Sequence, residues 1–141
     1  MKVMFDSNVI IDALTERDNN YKSSRQLIRY VVAGSIKGYI TAKQVTDIYY
    51  SVRKYYSNKE QIKGLIRIIL NTFEILPTIK SDIAYSMNSQ IEDLEDALID
   101  EVCAVNCVQN LVTNNAKDFE KAKSTIWTPN QLLSIIEVGR E

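Results

Sequence analysis

A chain of 141 residues, 45% hydrophobic and 25% charged, has the size and balance of one ordinary globular domain, able to bury a core without disulfides or a structural metal. A formal net charge of −1 gives no whole-molecule attraction to nucleic acid, so any such binding must come from a local basic face or from bound metal. Histidine is absent, which excludes histidine acid–base catalysis, Ser-His-Asp and Cys-His arrangements and histidine-ligated zinc.

In chain order, residues 2–5 form a short apolar run that reads as a buried strand. Asp6, Ser7 and Asn8 break it and offer helix caps before a short helix from Val9 to Leu14. Residues 20–33 carry Leu27, Ile28, Val31 and Val32 at helical spacing, and Gly34 ends the pattern. A second strand is expected at 38–41. A helix over 42–56 follows, with Val45, Ile48, Tyr49, Val52 and Tyr56 as its apolar stripe, and another over 59–71. Residues 73–76 read as a third strand closed by Pro77, and 80–88 as a short helix. A long helix is expected over 94–107, where Cys103 and Cys107 would share a core-facing side rather than form a disulfide or a zinc site. Residues 110–113 read as a fourth strand, 126–127 as a fifth, and Pro129 suits the first position of a final helix.

Short apolar strands alternating with amphipathic helices predict a parallel sheet of four to five strands covered on both faces, an α/β class three-layer α/β/α sandwich, with residues 1–141 as a single domain. No stretch approaches the roughly 20 apolar residues of a membrane span, and the N-terminus lacks the apolar centre of a signal peptide. The expectation is a cytoplasmic protein with no membrane contact.

In such a sheet, ligands bind beyond the carboxyl ends of the strands. Asp6 directly follows the first strand, and the fourth ends at Thr113, followed by Asn114, Asn115 and Asp118. Asp47 lies about one turn into the helix after the second strand. Asp93, Asp96 and Asp100 are spaced to share one side of the helix that leads to the fourth strand. Asp6, Asp47, Asp96 and Asp118 thus come from four separate segments and could meet at one edge of the sheet. Gathered carboxylates repel one another, and a divalent cation relieves that repulsion; oxygen-only ligands suit Mg²⁺ or Mn²⁺. Metal-assisted phosphodiester hydrolysis needs no histidine. Each acid also has a simpler reading. Asp6 could cap the following helix, Asp47 could be a solvated helix residue, Asp93 and Glu95 could favour the positive end of a helix, and Asp118 could cap the turn before Phe119. The combination, not any single acid, points to a site.

These segments resemble the PIN-domain family, more narrowly VapC-type toxins, over nearly the whole length. Val3-Met4-Phe5-Asp6-Ser7-Asn8 is similar to the family's strand followed by D-x-N, and Thr46-Asp47-Ile48-Tyr49-Tyr50 to its second acidic motif. Asp93-Leu94-Glu95-Asp96-Ala97-Leu98 resembles its D-x-x-D-A segment, residues 111–119 its V-T-x-N-x-x-D-F segment, and Thr128-Pro129 the usual start of its last helix. The resemblance implies a Mg²⁺- or Mn²⁺-dependent ribonuclease, the toxin of a toxin–antitoxin pair. Asp6, Asp96 and Asp118 would hold metal directly or through water, Asp47 would complete the acidic cluster, and Asn8, Thr113, Asn115 and Asp93 would support it. It also implies a homodimer and a silencing antitoxin protein. Two departures stand out: the second acid is more often Glu where this chain has Asp47, and the residue between Thr113 and Asn115 is often basic where this chain has Asn114.

For an RNA backbone, Lys43, Arg53, Lys54, Lys59, Lys63 and Arg67 on two successive helices, with Tyr49, Tyr50, Tyr55 and Tyr56 among the first of them, form a candidate contact face; the alternative is a solvated surface with packed tyrosines. The competing functional reading is a catalytically weak or inactive module of the same architecture that binds RNA or a protein.

Overall fold

The apolar run at the start becomes β1 (Lys2–Phe5), with Val3, Met4 and Phe5 inaccessible to solvent. Their side chains alternate between the faces of the sheet, as strand geometry requires. Val3 and Phe5 enter one apolar cluster and Met4 enters another. The computed structural model describes residues 1–140.

The remaining elements are α1 (Ser7–Thr15), α2 (Tyr21–Val32), β2 (Lys37–Thr41), α3 (Ala42–Val52), α4 (Lys59–Thr72), β3 (Glu74–Leu76), α5 (Lys80–Ser86), α6 (Leu94–Val105), β4 (Asn110–Val112), a 3-10 turn (Ala116–Phe119), β5 (Thr125–Trp127) and α7 (Pro129–Arg140). The five strands form one parallel sheet in the order β3-β2-β1-β4-β5. On one face, α1, α2, α3, α4 and α7 contribute Val9, Leu27, Ile48, Ile69 and Leu132 to the cluster that contains Phe5. On the other, α6 contributes Ala97, Val102 and Cys103 to the cluster with Met4, and α5 packs on α6. This is the expected three-layer arrangement. Among the described residues no helix is long and apolar enough to cross a membrane.

Gly38 shows why β2 reads as it does. A Cβ there would stand 2.8 Å from the Phe73 ring and 3.0 Å from Val31, so glycine lets that ring lie against the strand. Phe73 in turn meets Phe5 edge-on, with centroids 5.1 Å apart.

Three helices end at least two residues earlier than expected, the short one over 80–88 at Ser86. The expected helix over 42–56 stops at Val52: the Lys54 and Tyr55 amides reach only three residues back, to the Ser51 and Val52 carbonyls, and the Tyr56 hydroxyl donates to the Leu14 carbonyl. Arg53 and Lys54 therefore lie beyond α3 rather than on it. The expected helix over 94–107 stops at Val105. Cys107 adopts a left-handed φ of 56°, its amide bonds the Ala104 carbonyl at 3.3 Å, and the Val108 amide bonds the Cys103 carbonyl at 2.9 Å. That is a Schellman ending, closed by contact of Val108 with the core. The expectation for the cysteines is corrected accordingly: Cys103 is buried, with its thiol pushed up to about 12 by burial, while Cys107 is exposed.

Candidate active site

The strand order reverses between β1 and β4, since β2 and β3 lie on one side of β1 and β4 and β5 on the other. At that switch point, the carboxyl ends of β1 and β4 leave Asp6 and Thr113 side by side. The Asp6 amide completes the ladder by donating to the Val112 carbonyl at 2.9 Å. Asp6 stands at the N-cap of α1, yet its side chain makes no capping bond to the helix. Asp6 Oδ2 instead accepts the Thr113 hydroxyl at 2.7 Å and the Asn8 side-chain amide at 3.1 Å. Thr113, wholly buried, also accepts the Asn115 amide at 3.0 Å, and Asn8 Oδ1 accepts the Asn114 amide at 3.2 Å. The first and fourth motifs are thereby stitched into one polar seam. Burial raises the Asp6 carboxyl above its ordinary range and Asp118 adds repulsion, while Thr113, the Ser7 backbone and Asn8 pull it back.

Asp96 reaches the same place from the first turn of α6. Asp93 caps that helix by accepting the Asp96 amide at 3.1 Å. Asp96 is half-buried, and its carboxyl is pushed up to about 7, first by desolvation and then by the charges of Asp6, Asp93, Asp118 and Glu95. Asp118 comes from the 3-10 turn, held down by Phe119, which is only 1% exposed. Asp6, Asp47, Asp96, Asn8, Asn115 and Asp118 all line one open cavity of about 480 Å³.

The structure separates the sequence-derived candidates. Asp6, Asp96 and Asp118 repel one another across the cavity. Asp47 lines the same cavity but is paired to Lys43 at 2.9 Å, and Lys43 also bonds Glu95 on α6. These two carboxylates raise the Lys43 ammonium above its ordinary value, Glu95 more than Asp47. Asp93 is a cap that adds to the field at Asp96. Asp100, expected on the same side of α6 as Asp96, does not join. It is buried and accepts the Lys123 and Ser124 amides, each at 3.0 Å, and the Ser124 hydroxyl at 2.7 Å, thereby anchoring the loop before β5.

Sequence reasoning missed three supporting side chains. Gln44, 3% exposed, exchanges bonds with Thr41 in a capping box and donates to the Phe5 carbonyl at 2.8 Å and the Ser7 hydroxyl at 3.2 Å. It ties the start of α3 to the end of β1. Asp12, also 3% exposed, accepts the Asn114 side-chain amide and pairs with Arg17, which lines the cavity. The T-x-x-Q spacing of Thr41 and Gln44 signals the cap. Nothing local signals the contact of Asp12 with Asn114, 102 residues apart.

Among the described residues, no three acidic or thiol side chains already form a cage tight enough to hold a metal ion. The donor set nevertheless suits a hard divalent ion. It is all oxygen, and the cluster carries unrelieved repulsion while the two cations lining the cavity, Arg17 and Lys43, are engaged by other acids. Mg²⁺ keeps several of its waters and is commonly held by only one or two carboxylates, so a closed cage is not required.

Comparison with known proteins agrees with this architecture. A PIN domain family model matches residues 2–117. Ribonuclease VapC1 of Aquifex aeolicus is 31% identical over 135 residues, covering 92% of this chain and 92% of its own. VapBC2 of Rickettsia felis, solved with a DNA fragment from its promoter, has a TM-score of 0.67 at 22% identity, covering 91% of this chain and 98% of that one. FitAB, solved with the IR36 DNA fragment, has a TM-score of 0.70 at 17% identity, covering 90% and 94%. The two solved structures share the fold, and the sequence match runs from β1 into the turn that carries Asp118: the chain belongs to the PIN domain family.

Proposed function

We propose that residues 1–141 act as a single-domain endoribonuclease that uses a divalent ion, Mg²⁺ or Mn²⁺, to hydrolyse RNA phosphodiester bonds. The observation that carries this reading is the convergence of Asp6, Asp96 and Asp118 from three separate elements on the switch-point cavity, where desolvation and then the neighbouring carboxylates lift Asp96 to about 7. In this reading those three hold the ion, directly or through water. When bound, the ion supplies an acidified water and neutralises charge on a phosphoryl oxygen. The rest falls to the chain's own groups. Thr113 and Asn8 fix the orientation of Asp6, Asp93 fixes the first turn of α6, and Asn115 lines the cavity. Asp47 completes the acidic rim and is held there by Lys43.

The similarity to Ribonuclease VapC1 supports a toxin ribonuclease, and the fold shared with the VapBC2 and FitAB structures supports an antitoxin partner. In this reading the antitoxin covers the cavity and the chain works as a homodimer in the cytoplasm. The second reading is a module that binds RNA without efficient cleavage; the commitment of Asp47 to Lys43 favours it. One assay separates the two. A labelled pool of cellular RNA is incubated with wild type or Asp96→Asn in Mg²⁺, in Mn²⁺ and in EDTA. Cleavage that needs the metal and is lost in the variant supports the nuclease. Intact RNA with either metal, from folded protein free of any partner, supports the binding module.

A further inference from the structure

The helix that carries Asp47 presents more to the cavity than an acid. Lys43, Asp47 and Tyr50 are spaced i, i+4, i+7, which places them on one side of α3, and all three line the cavity that contains Asp6, Asp96 and Asp118. Tyr50 is 61% exposed, a large apolar surface to leave in water beside a polar cleft. Arg53 packs on its ring, 5.4 Å from the centroid, and Tyr49 meets it edge-on at 5.3 Å, so the ring is braced rather than loose. At the other end of the same side, Lys43 spans from α3 to α6 and holds both Asp47 and Glu95. Its two partners are themselves largely exposed, at 42% and 67%, so neither bond is sheltered from competition.

Resting on the ribonuclease reading above, we infer that this side of α3 is the subsite for an unpaired nucleotide flanking the scissile phosphate: Tyr50 stacks its base, and Lys43 leaves Glu95 to take its phosphate. An aromatic face accepts any base but needs that base out of a duplex, so Tyr50 is the residue expected to read whether the nucleotide is unpaired. A phosphate outcompetes an exposed carboxylate for an ammonium when other contacts hold it nearby. Glu95 then acts as a placeholder that keeps Lys43 at the cavity mouth in the free protein.

The test is fluorescence-anisotropy binding of a labelled single-stranded RNA of mixed sequence, and of its duplex, to the full chain in Ca²⁺ and in EDTA. The expected result is preference for the single strand. Tyr50→Ala weakens that binding roughly tenfold and removes the preference, while Tyr50→Phe keeps both, since stacking needs the ring and not the hydroxyl. Lys43→Ala weakens binding and lowers the slope of log Kd against log salt by about 0.7, the signature of one lost phosphate contact on a single strand. Glu95→Gln tightens binding by freeing Lys43. Folded Tyr50→Ala or Lys43→Ala protein that binds like wild type overturns the subsite, as does equal affinity for duplex and single strand. Weaker or unchanged binding by Glu95→Gln overturns the placeholder role. Wild type that binds no RNA in either condition brings down the ribonuclease reading itself, and this inference with it.

Discussion

Asp96→Asn keeps the shape of the side chain and removes one charge from the cluster, so it should cost activity and add stability. In the unfolded chain this carboxyl titrates near 3.8; in the folded, metal-free protein desolvation and then its acidic neighbours hold it at about 7. Between those values the folded state binds more protons than the unfolded one, so wild-type stability falls as pH rises through that window. A shift of this size corresponds at face value to about 4 kcal/mol, but the group is only half-buried, and solvent screening reduces the expectation to about 1–2 kcal/mol. For a chain of 141 residues that is a rise in Tm of roughly 3–7 °C for the asparagine variant at pH 8 in EDTA. At pH 3, below both values, the carboxyl is largely protonated in the folded and unfolded states and the difference should vanish. Adding millimolar Mg²⁺ at pH 8 should reverse the order, because a ligand that binds only the folded state stabilises it by mass action, and wild type binds it better. The assay is thermal unfolding followed by circular dichroism at the two pH values, with and without metal. An asparagine variant that is no more stable than wild type at pH 8 in EDTA would refute the claim that a charged Asp96, desolvated among like charges, destabilises the metal-free fold.

Further expectations follow from the same geometry. Thr113→Val should lower stability by about 1–2 kcal/mol, read as a lower urea midpoint at unchanged slope, because one buried hydroxyl serves both Asp6 and the Asn115 amide. Asp100→Ala should cost about 2–4 kcal/mol by orphaning the Lys123 and Ser124 amides, yet leave Mg²⁺ affinity measured by calorimetry unchanged, since Asp100 lies outside the cluster. Cys107→Gly should raise stability by about 1 kcal/mol in chemical denaturation, because it relieves a left-handed residue at the end of α6. Gly38→Ala should lower it by about 1–3 kcal/mol, since Phe73 and Val31 occupy the space of the new methyl.

The parts of the fold that sequence reveals are those written in local chemistry. Gly34 announces the end of α2 because a left-handed position favours glycine, and its φ is 80°. The end of α6 uses the same motif with Cys107 in that place, and a cysteine carries no such announcement. The early stop of α3 is likewise a tertiary event, fixed by the Tyr56 hydroxyl reaching Leu14. For the site, strand ends at a switch point make Asp6 and Thr113 legible, and the acids of α6 stand out by composition. Which of those acids faces the cavity does not follow from spacing alone. Asp96 and Asp100 sit one turn apart, and Asp100 is claimed by two backbone amides of a loop more than 20 residues away. The bonds of Gln44 to Phe5 and of Asp12 to Asn114 span 39 and 102 residues, distances over which a single sequence offers no pairing signal.

The measurement that bears most directly on the central claim is single-turnover cleavage of labelled RNA in Mg²⁺ by Asp6→Asn, Asp118→Asn and Asp100→Asn beside wild type, each variant first shown to be folded. The account predicts that the first two lose roughly a hundredfold or more in rate while Asp100→Asn cleaves like wild type. Asp6→Asn and Asp118→Asn proteins that cleave at the wild-type rate would contradict it, because the chemistry would then lie outside the switch-point carboxylates.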